Sequence, residues 1–227
     1  MNANGRSTIH RRGFLGTLVA AGAVGVTSLA PFRLNAMQEK MMNNAGSSGF
    51  EDWLTKIRGK HRQVFDVPQH VGGLPLAQTR VFLMTNKAVG APDDDVQAVV
   101  VLRHEAIPLA MDSALWKKYN FSKVFNVVDG QTKKPITQNI FWQPKEGTLM
   151  LPGMSIDELM KSGVLFGVCD MALTVFSMGV AKKMKLNADE VKKEWVAGVL
   201  PGIQVVPSGV LAVNRTQEHG CTYCFAG

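Results

Sequence analysis

The spacing of apolar residues predicts one amphipathic helix and two strands in the first half of the chain. Apolar side chains recur at the spacing of one helix face in residues 50–61, which predicts a helix there. The residues of that face are Phe50, Trp53, Leu54 and Ile57. Two apolar runs without clean alternation, 80–85 and 96–102, predict strands that are covered on both faces.

The second half of the chain alternates between strand-like and helix-like patterns. Ser155 begins a capping box that predicts a short helix closed by Gly163, and the apolar run 164–168 predicts the strand that follows. The later predicted elements are a helix over 170–185, a helix capped by Asn187 and ended by Gly198, a strand over 203–206, a helix over 209–218 capped by Ser208, and a short strand over 221–225.

The middle of the chain has a weaker pattern. Asp112 can cap a helix that runs to Tyr119. Residues 124–128 and 136–142 flank an Asp129-Gly130 pair, and Asp-Gly favours a tight turn. We therefore predict a hairpin insertion within residues 124–152.

Strands that alternate with helices indicate an α/β fold. We predict three layers: a mostly parallel sheet of about five strands with helices on both faces. Right-handed crossovers then bring the carboxyl ends of all strands to one edge of the sheet. About 180 residues remain after an N-terminal segment, which fits one domain over 50–227.

The N-terminal segment has the order of a secretory signal. Arg11-Arg12 precedes an uncharged stretch over residues 13–32 that is rich in Ala, Val, Leu and Gly. The Arg-Arg pair with Phe14-Leu15 behind it resembles the twin-arginine motif, although His10 and Gly16 depart from that motif. The alternatives are an ordinary secretory signal or an uncleaved anchor. We expect a signal over 1–36 and a flexible linker over 37–49, and hence a protein exported to the periplasm or the outer face of the cell membrane.

The signal accounts for most of the basic charge. Residues 1–36 hold four arginines and no acid, so the net charge falls from +7 to +3 without them. A charge of +3 and the lack of a basic stripe argue against nucleic-acid binding. Residues 163–181 carry Asp170 as their one charge, but three glycines and the flanking α/β pattern favour a buried strand and helix over a membrane span.

Ligands of open α/β sheets bind beyond the carboxyl ends of the strands, so the residues predicted there are candidate site residues. In chain order they are Asn86, Arg103 with His104, Cys169 and Ser208. A guanidinium, an imidazole, a thiol and a hydroxyl would then share one edge. No Gly-rich phosphate loop or Gly-x-Ser-x-Gly elbow is present, and the sequence predicts no cofactor.

Cys169 is the principal candidate because it would lie at the N-terminus of the helix over 170–185. The N–H groups and dipole of a helix N-terminus favour the thiolate, and Arg103 or protonated His104 would act in the same direction. Asp170 and Glu105 would oppose it. The alternative is that Cys169 is an inert, buried core residue.

Cys221 and Cys224 form a Cys-x-x-Cys pair near the end of the chain. Three interpretations remain open. They are a local disulfide, which an oxidising compartment favours, a redox pair, and part of a zinc site with His219 adjacent.

Four segments follow one another in the second half of the chain: Leu165-Phe166-Gly167-Val168-Cys169-Asp170, Met178-Gly179, Val206-Pro207-Ser208-Gly209 and Gln217-Glu218-His219-Gly220-Cys221-Thr222-Tyr223. In this order they resemble the DsrE/DsrF-like family of sulfur oxidation and sulfur relay. The resemblance is clearest over 164–225 and implies a DsrE-like fold. It also implies a persulfide on Cys169, a thiol or sulfur-carrier partner, and an oligomer of trimeric or hexameric type. Asp170 departs from the small or amide residue that the family commonly has there.

We therefore expect an exported protein that handles sulfane sulfur or thiols through Cys169. A non-catalytic binding or assembly subunit on the same fold is the first alternative. A small-ligand or metal binder at the edge around His104 is the second.

Overall fold

Five strands alternate with helices in the computed structural model, which describes residues 48–129 and 134–227. All these residues belong to one compact unit. The strands are β1 (His61–Val67), β2 (Val96–Leu102), β3 (Leu165–Cys169), β4 (Gln204–Val206) and β5 (Thr222–Phe225). The helices are α1 (Ser48–Leu54), α2 (Leu74–Ala88), α3 (Ser113–Tyr119), α4 (Phe121–Val124), α5 (Ile156–Lys161), α6 (Asp170–Met184), α7 (Ala188–Ala197) and α8 (Gly209–Glu218).

The five strands form one sheet in the order β4-β3-β2-β1-β5. Every neighbouring pair is parallel. The carboxyl ends of the strands therefore lie along one edge, which we call the carboxyl edge. The predicted three-layer α/β fold is confirmed.

Both faces of the sheet are covered, which explains the apolar runs in the sequence. On one face, α1 and α8 enclose a small cluster that includes Trp53, Val101 and Cys221. On the other face, α2, α3, α6 and α7 pack on a larger cluster around Phe166 and Trp195. β2, at the centre of the sheet, has six of its seven residues buried.

The first prediction of a strand is wrong. Residues 80–85 lie in the middle of α2, and the first strand is β1, which the sequence did not reveal. Arg62, Gln63 and Asp66 make β1 look polar, whereas only its last four residues are buried. The predicted helix over 50–61 ends at Leu54, and its last residue, His61, begins β1.

The other predicted elements occur within a residue or two of their expected positions. The side chains of Asp112, Asn187 and Ser208 cap their helices as predicted. Ser155 precedes α5, but its hydroxyl donates to the carboxylates of Asp157 and Glu158 instead of accepting a backbone N–H.

The predicted insertion is present in a reduced form. Val128 and Pro135 make one isolated antiparallel bridge, and Asp129 N–H donates to the Lys134 carbonyl at 2.8 Å. Beyond that bridge, the described residues between α4 and α5 form neither helix nor strand. The segment covers the larger core with buried side chains such as Phe141.

The predicted signal over 1–36 lies outside the described residues, as does most of the predicted linker. The last two residues of that linker, 48 and 49, belong to α1. Among the described helices, none is long and apolar enough to cross a membrane.

Candidate functional site

Cys169 is the last residue of β3 and the N-cap of α6. Its Sγ accepts a hydrogen bond from the backbone N–H of Ala172 at 3.3 Å. Cysteine takes here the role that serine or aspartate commonly fills. The residue is buried, with 6% of its surface exposed. The sulfur thus lies where unsatisfied helix N–H groups favour negative charge.

Arg103 directly follows β2 and lies beside Cys169. β2 and β3 pair Leu102 with Val168, so the next residues, Arg103 and Cys169, are neighbours at the carboxyl edge. The hydrogen bond to Asp66 is the largest cause that raises the pKa of Arg103, and Cys169 is a smaller one.

Asp66 holds the Arg103 guanidinium through two hydrogen bonds. Arg103 Nε donates to Asp66 Oδ1 at 2.5 Å and Nη2 donates to Oδ2 at 2.9 Å. The Asp66 side chain is only 7% exposed, so this bidentate pair lies largely out of water. Such a fork fixes both the position and the direction of the cation.

Tyr223 completes this arrangement from β5. Its hydroxyl donates to Asp66 Oδ2 at 3.0 Å. Partial burial, followed by this bond, raises the pKa of Tyr223. A continuous polar line therefore runs along the carboxyl edge from β5 through β1 to β2, and ends beside Cys169.

The carboxylate of Asp170 is paired with the ammonium group of Lys192. The prediction that Asp170 opposes a thiolate did not include this cation. The Lys192 ammonium forms a short ion pair with Asp170 Oδ1, and it also donates to the Asp170 carbonyl at 3.2 Å. A third bond reaches Thr174 Oγ1 at 2.6 Å. The two charged side chains are about one-fifth exposed. Lys192 therefore offsets the negative charge next to the sulfur.

His104 lies at the carboxyl edge as predicted, but its ring packs against Phe176 of α6. The two rings meet edge to face with centroids 5.5 Å apart. His104 has a φ of +50°, and Val71, in the loop after β1, has a φ of +37°. Both values lie where side chains with a Cβ are strained, and Val71 is β-branched.

Ser208 also lies at the carboxyl edge, after β4. Its hydroxyl accepts the N–H of Leu211 at 3.2 Å and caps α8. The next residue, Gly209, lets α8 approach Arg103, because a Cβ there would be 2.6 Å from Arg103 Cβ. Ser208 and Gly209 therefore shape the surroundings of Arg103.

Asn86 does not belong to this site, and its prediction is wrong. It lies in the last turn of α2, where its side chain donates to the Phe82 carbonyl at 2.9 Å. α2 ends before the loop that leads to the start of β2, so Asn86 is at the amino ends of the strands. The error follows directly from the mistaken strand over 80–85.

A cleft of about 610 Å³ also lies at the amino ends of the strands. Its basic residues include Lys87 and Lys161, which stand in the last turns of α2 and α5 and complement the helix dipoles there. Lys87 pairs with Asp93, and Lys161 pairs with Asp157. The cleft is therefore remote from Cys169 and adds nothing to its chemistry.

Cys221 and Cys224 are free thiols, and the structure does not bring them together as the disulfide interpretation requires. Cys221 belongs to the small cluster on one face of the sheet, and Cys224 packs against the larger cluster on the other. Residues three apart in an extended strand point to opposite faces, which keeps the two sulfurs apart. Burial raises the pKa of Cys221 to about 11, although Arg62 acts against it, and burial also raises that of Cys224.

Cys169 and Cys224 are also far apart. β3 and β5 are separated by two strands, and three strand spacings correspond to about 14 Å. Sulfur cannot pass directly between them within one chain. The structure also gives no support to the zinc interpretation. Within residues 48–129 and 134–227, no three His, Cys, Asp or Glu side chains form a group that could hold a metal ion.

Three residues of the site were missed in the sequence. Asp66 lies in the unrecognised strand, Tyr223 was noted only within a larger motif, and Lys192 was assigned to a solvated helix face. Each of the three side chains forms its hydrogen bond with a residue that lies between 22 and 157 positions away in the sequence. Only the recognition of β1 could have pointed to Asp66, as a polar residue near a strand end.

Comparison of the sequence with models of known protein families finds no match. Comparison with curated proteins also finds no similar sequence. The resemblance to the DsrE/DsrF-like family therefore depends on the ordered motifs alone.

Proposed function

We propose that the protein accepts sulfane sulfur on Cys169 and passes it to a thiol acceptor. The observation that carries the proposal is the position of Cys169 Sγ. It caps α6, accepts the Ala172 N–H and lies beside an arginine that Asp66 holds in place. The Ala172 N–H and the Arg103 guanidinium are groups that stabilise negative charge on sulfur, and the thiolate is the nucleophilic form of cysteine.

The chemistry needs no oxidant. The Cys169 thiolate attacks the outer sulfur of a polysulfide or persulfide donor, and the remaining donor thiolate leaves with the bonding electron pair. Cys169 then carries a persulfide. In the second step an acceptor thiolate attacks the outer sulfur, and the Cys169 thiolate leaves. Each step breaks one S–S bond and forms another.

The residues around Cys169 suit this cycle in different ways. Arg103 is a positioning residue that would offset the charge of the thiolate when it attacks and again when it leaves. Lys192 would keep Asp170 from repelling an anionic donor. Because Cys169 is only 6% exposed, small inorganic polysulfide is the donor that fits best.

The cellular setting is part of the same proposal. A twin-arginine signal would carry the domain, already folded, to the periplasm or the outer face of the membrane. The acceptor would then be an exported thiol protein or a small thiol.

The proposal is tested by incubating the purified protein with inorganic polysulfide and measuring the mass of each cysteine-containing peptide. We expect one added sulfur on Cys169, removed by a thiol acceptor, and none in Cys169→Ser. Cys221→Ser is the matched control, because it removes an equally buried thiol and should leave the addition at Cys169 intact. Addition to Cys224 alone would contradict the proposal.

The burial of Cys169 favours a second candidate, a binding or assembly subunit with an inert thiol. In that case polysulfide adds nothing to Cys169, and alkylation of that thiol occurs only after unfolding. The same two measurements therefore decide between the two functions.

A further inference from the structure

β5 is a short edge strand that carries neither a charge nor a proline. It pairs with β1 alone, at the end of the sheet order. Its sequence, Thr222-Tyr223-Cys224-Phe225, has no charge and no proline, although proteins commonly use both to block an open edge. The side chains of Tyr223 and Phe225 are 47% and 55% exposed.

The backbone of β5 offers hydrogen bonds to the outside at two residues. Ala226 N–H donates to the Asp66 carbonyl, so the N–H of Ala226 points toward β1. Backbone groups alternate in direction along a strand, so Cys224 also faces β1, whereas Tyr223 and Phe225 face away. Within the part of the chain that the structure describes, neither outward N–H donates to a backbone acceptor.

We propose that two copies of this chain pair through β5 as antiparallel strands, with Cys224 at the two-fold axis. Tyr223 of each copy then lies opposite Phe225 of the other, and these two pairs exchange the outward N–H and C=O groups. Tyr223 and Phe225 point to the same face of the sheet, so two aromatic cross-strand pairs form. The two sheets become one sheet of ten strands.

A second copy suits this edge better than a charged partner strand. In an isologous pair the same surface meets itself, so any charge on the edge would repel its own image. β5 has none. The edge is also short, and two exposed aromatic side chains on each copy supply the apolar contact that a four-residue ladder needs.

The pairing has a chemical consequence at Cys224. The two Cys224 residues form a pair without mutual hydrogen bonds, in which the Cα atoms are about 4.5 Å apart. A disulfide needs a Cα separation of about 4.4–6.8 Å. An added oxidant such as diamide can therefore join the two thiols, with loss of two protons and transfer of two electrons to diamide. Cys221 lies on the other face and cannot substitute.

The test combines cross-linking with the state of association. Purified protein treated with diamide should form a covalent dimer on a denaturing, non-reducing gel, as should Cys221→Ser. Cys224→Ser should run as a monomer on that gel, because its copies pair without a covalent bond. Before oxidation, light scattering should show a dimer that Phe225→Lys dissociates. Val89→Lys is the control, since Val89 is 83% exposed and lies at the end of α2, away from β5.

Hydrogen exchange then identifies the strands in contact. The amides of Tyr223 and Phe225 should become protected as the protein concentration rises, and those of Phe225→Lys should not. A wild-type protein that stays monomeric, or a dimer that survives Phe225→Lys, would overturn the proposal. A cross-link formed without protection of these amides would overturn it too, because it would show collision between separate molecules.

Discussion

Cys169 and Cys221 are equally buried, each 6% exposed, and each belongs to an apolar cluster, yet the polar groups near them differ. Cys169 lies at a helix N-terminus, receives an N–H hydrogen bond and has Arg103 beside it. Cys221 packs among apolar side chains, and burial raises its pKa to about 11. We therefore expect the charges and dipoles that face each sulfur, and not its exposed fraction, to set how fast each thiol reacts.

The largest effect is expected when the cation beside Cys169 is removed. Arg103→Met leaves the buried carboxylate of Asp66 without its partner, which we expect to lower the free energy of unfolding by about 3 kcal/mol. Alkylation of Cys169 should also slow. Urea denaturation and peptide mass spectrometry measure the two effects.

The double variant Asp66→Asn/Arg103→Met separates the two effects. It removes both charges, so most of the stability should return. The alkylation rate of Cys169 should stay low, because the cation is still missing. A fast rate in either variant would show that Arg103 does not influence the sulfur.

Replacing Cys169 or Cys221 by serine should lower the free energy of unfolding by different amounts. Cys221→Ser places a hydroxyl among apolar side chains, where an unpaired polar group costs about 1–3 kcal/mol. Cys169→Ser should change stability by less than about 0.5 kcal/mol, because serine is a preferred N-cap and can accept the Ala172 N–H. Thermal and urea unfolding of both variants test this difference. Equal losses would mean that Cys169 is a core residue like Cys221.

The two thiols should also differ in how alkylation depends on pH. A thiol with a pKa of about 11 is ionised to about one part in a thousand at pH 8. The labelling of Cys221 by iodoacetamide should therefore rise about tenfold for each pH unit up to that value. Labelling of Cys169 at pH 8 should be at least about tenfold faster than that of Cys221. Matching rates would remove the contrast between the two environments.

The sequence predicted the part of the site that depends on local pattern. Arg103, Cys169 and Ser208 each follow an apolar run, and apolar runs of this kind mark buried strands. The capping position of Cys169 also follows from the residues next to it. The supporting contacts could not be predicted, since Asp66, Tyr223 and Lys192 reach their partners only through the order of the strands and helices.

The mistaken strand has a physical cause as well. Residues 80–85 are apolar because α2 covers the sheet, with Phe82 and Leu83 against the larger core. A short apolar run fits a strand and a buried helix equally well. β1 was missed for the converse reason: its Asp66 is polar but buried, and it is stabilised there by Arg103.

The smallest expected effect concerns Tyr223, the far end of the polar line. Tyr223→Phe removes one hydrogen bond to Asp66 and leaves both bonds from Arg103 in place. Since Tyr223 is about half exposed, we expect a loss of at most about 1 kcal/mol in urea denaturation. Alkylation of Cys169 should change by less than about twofold, which is under half a kcal/mol. A loss as large as that of Arg103→Met would mean that Tyr223, and not the bidentate fork, holds Arg103 beside the sulfur.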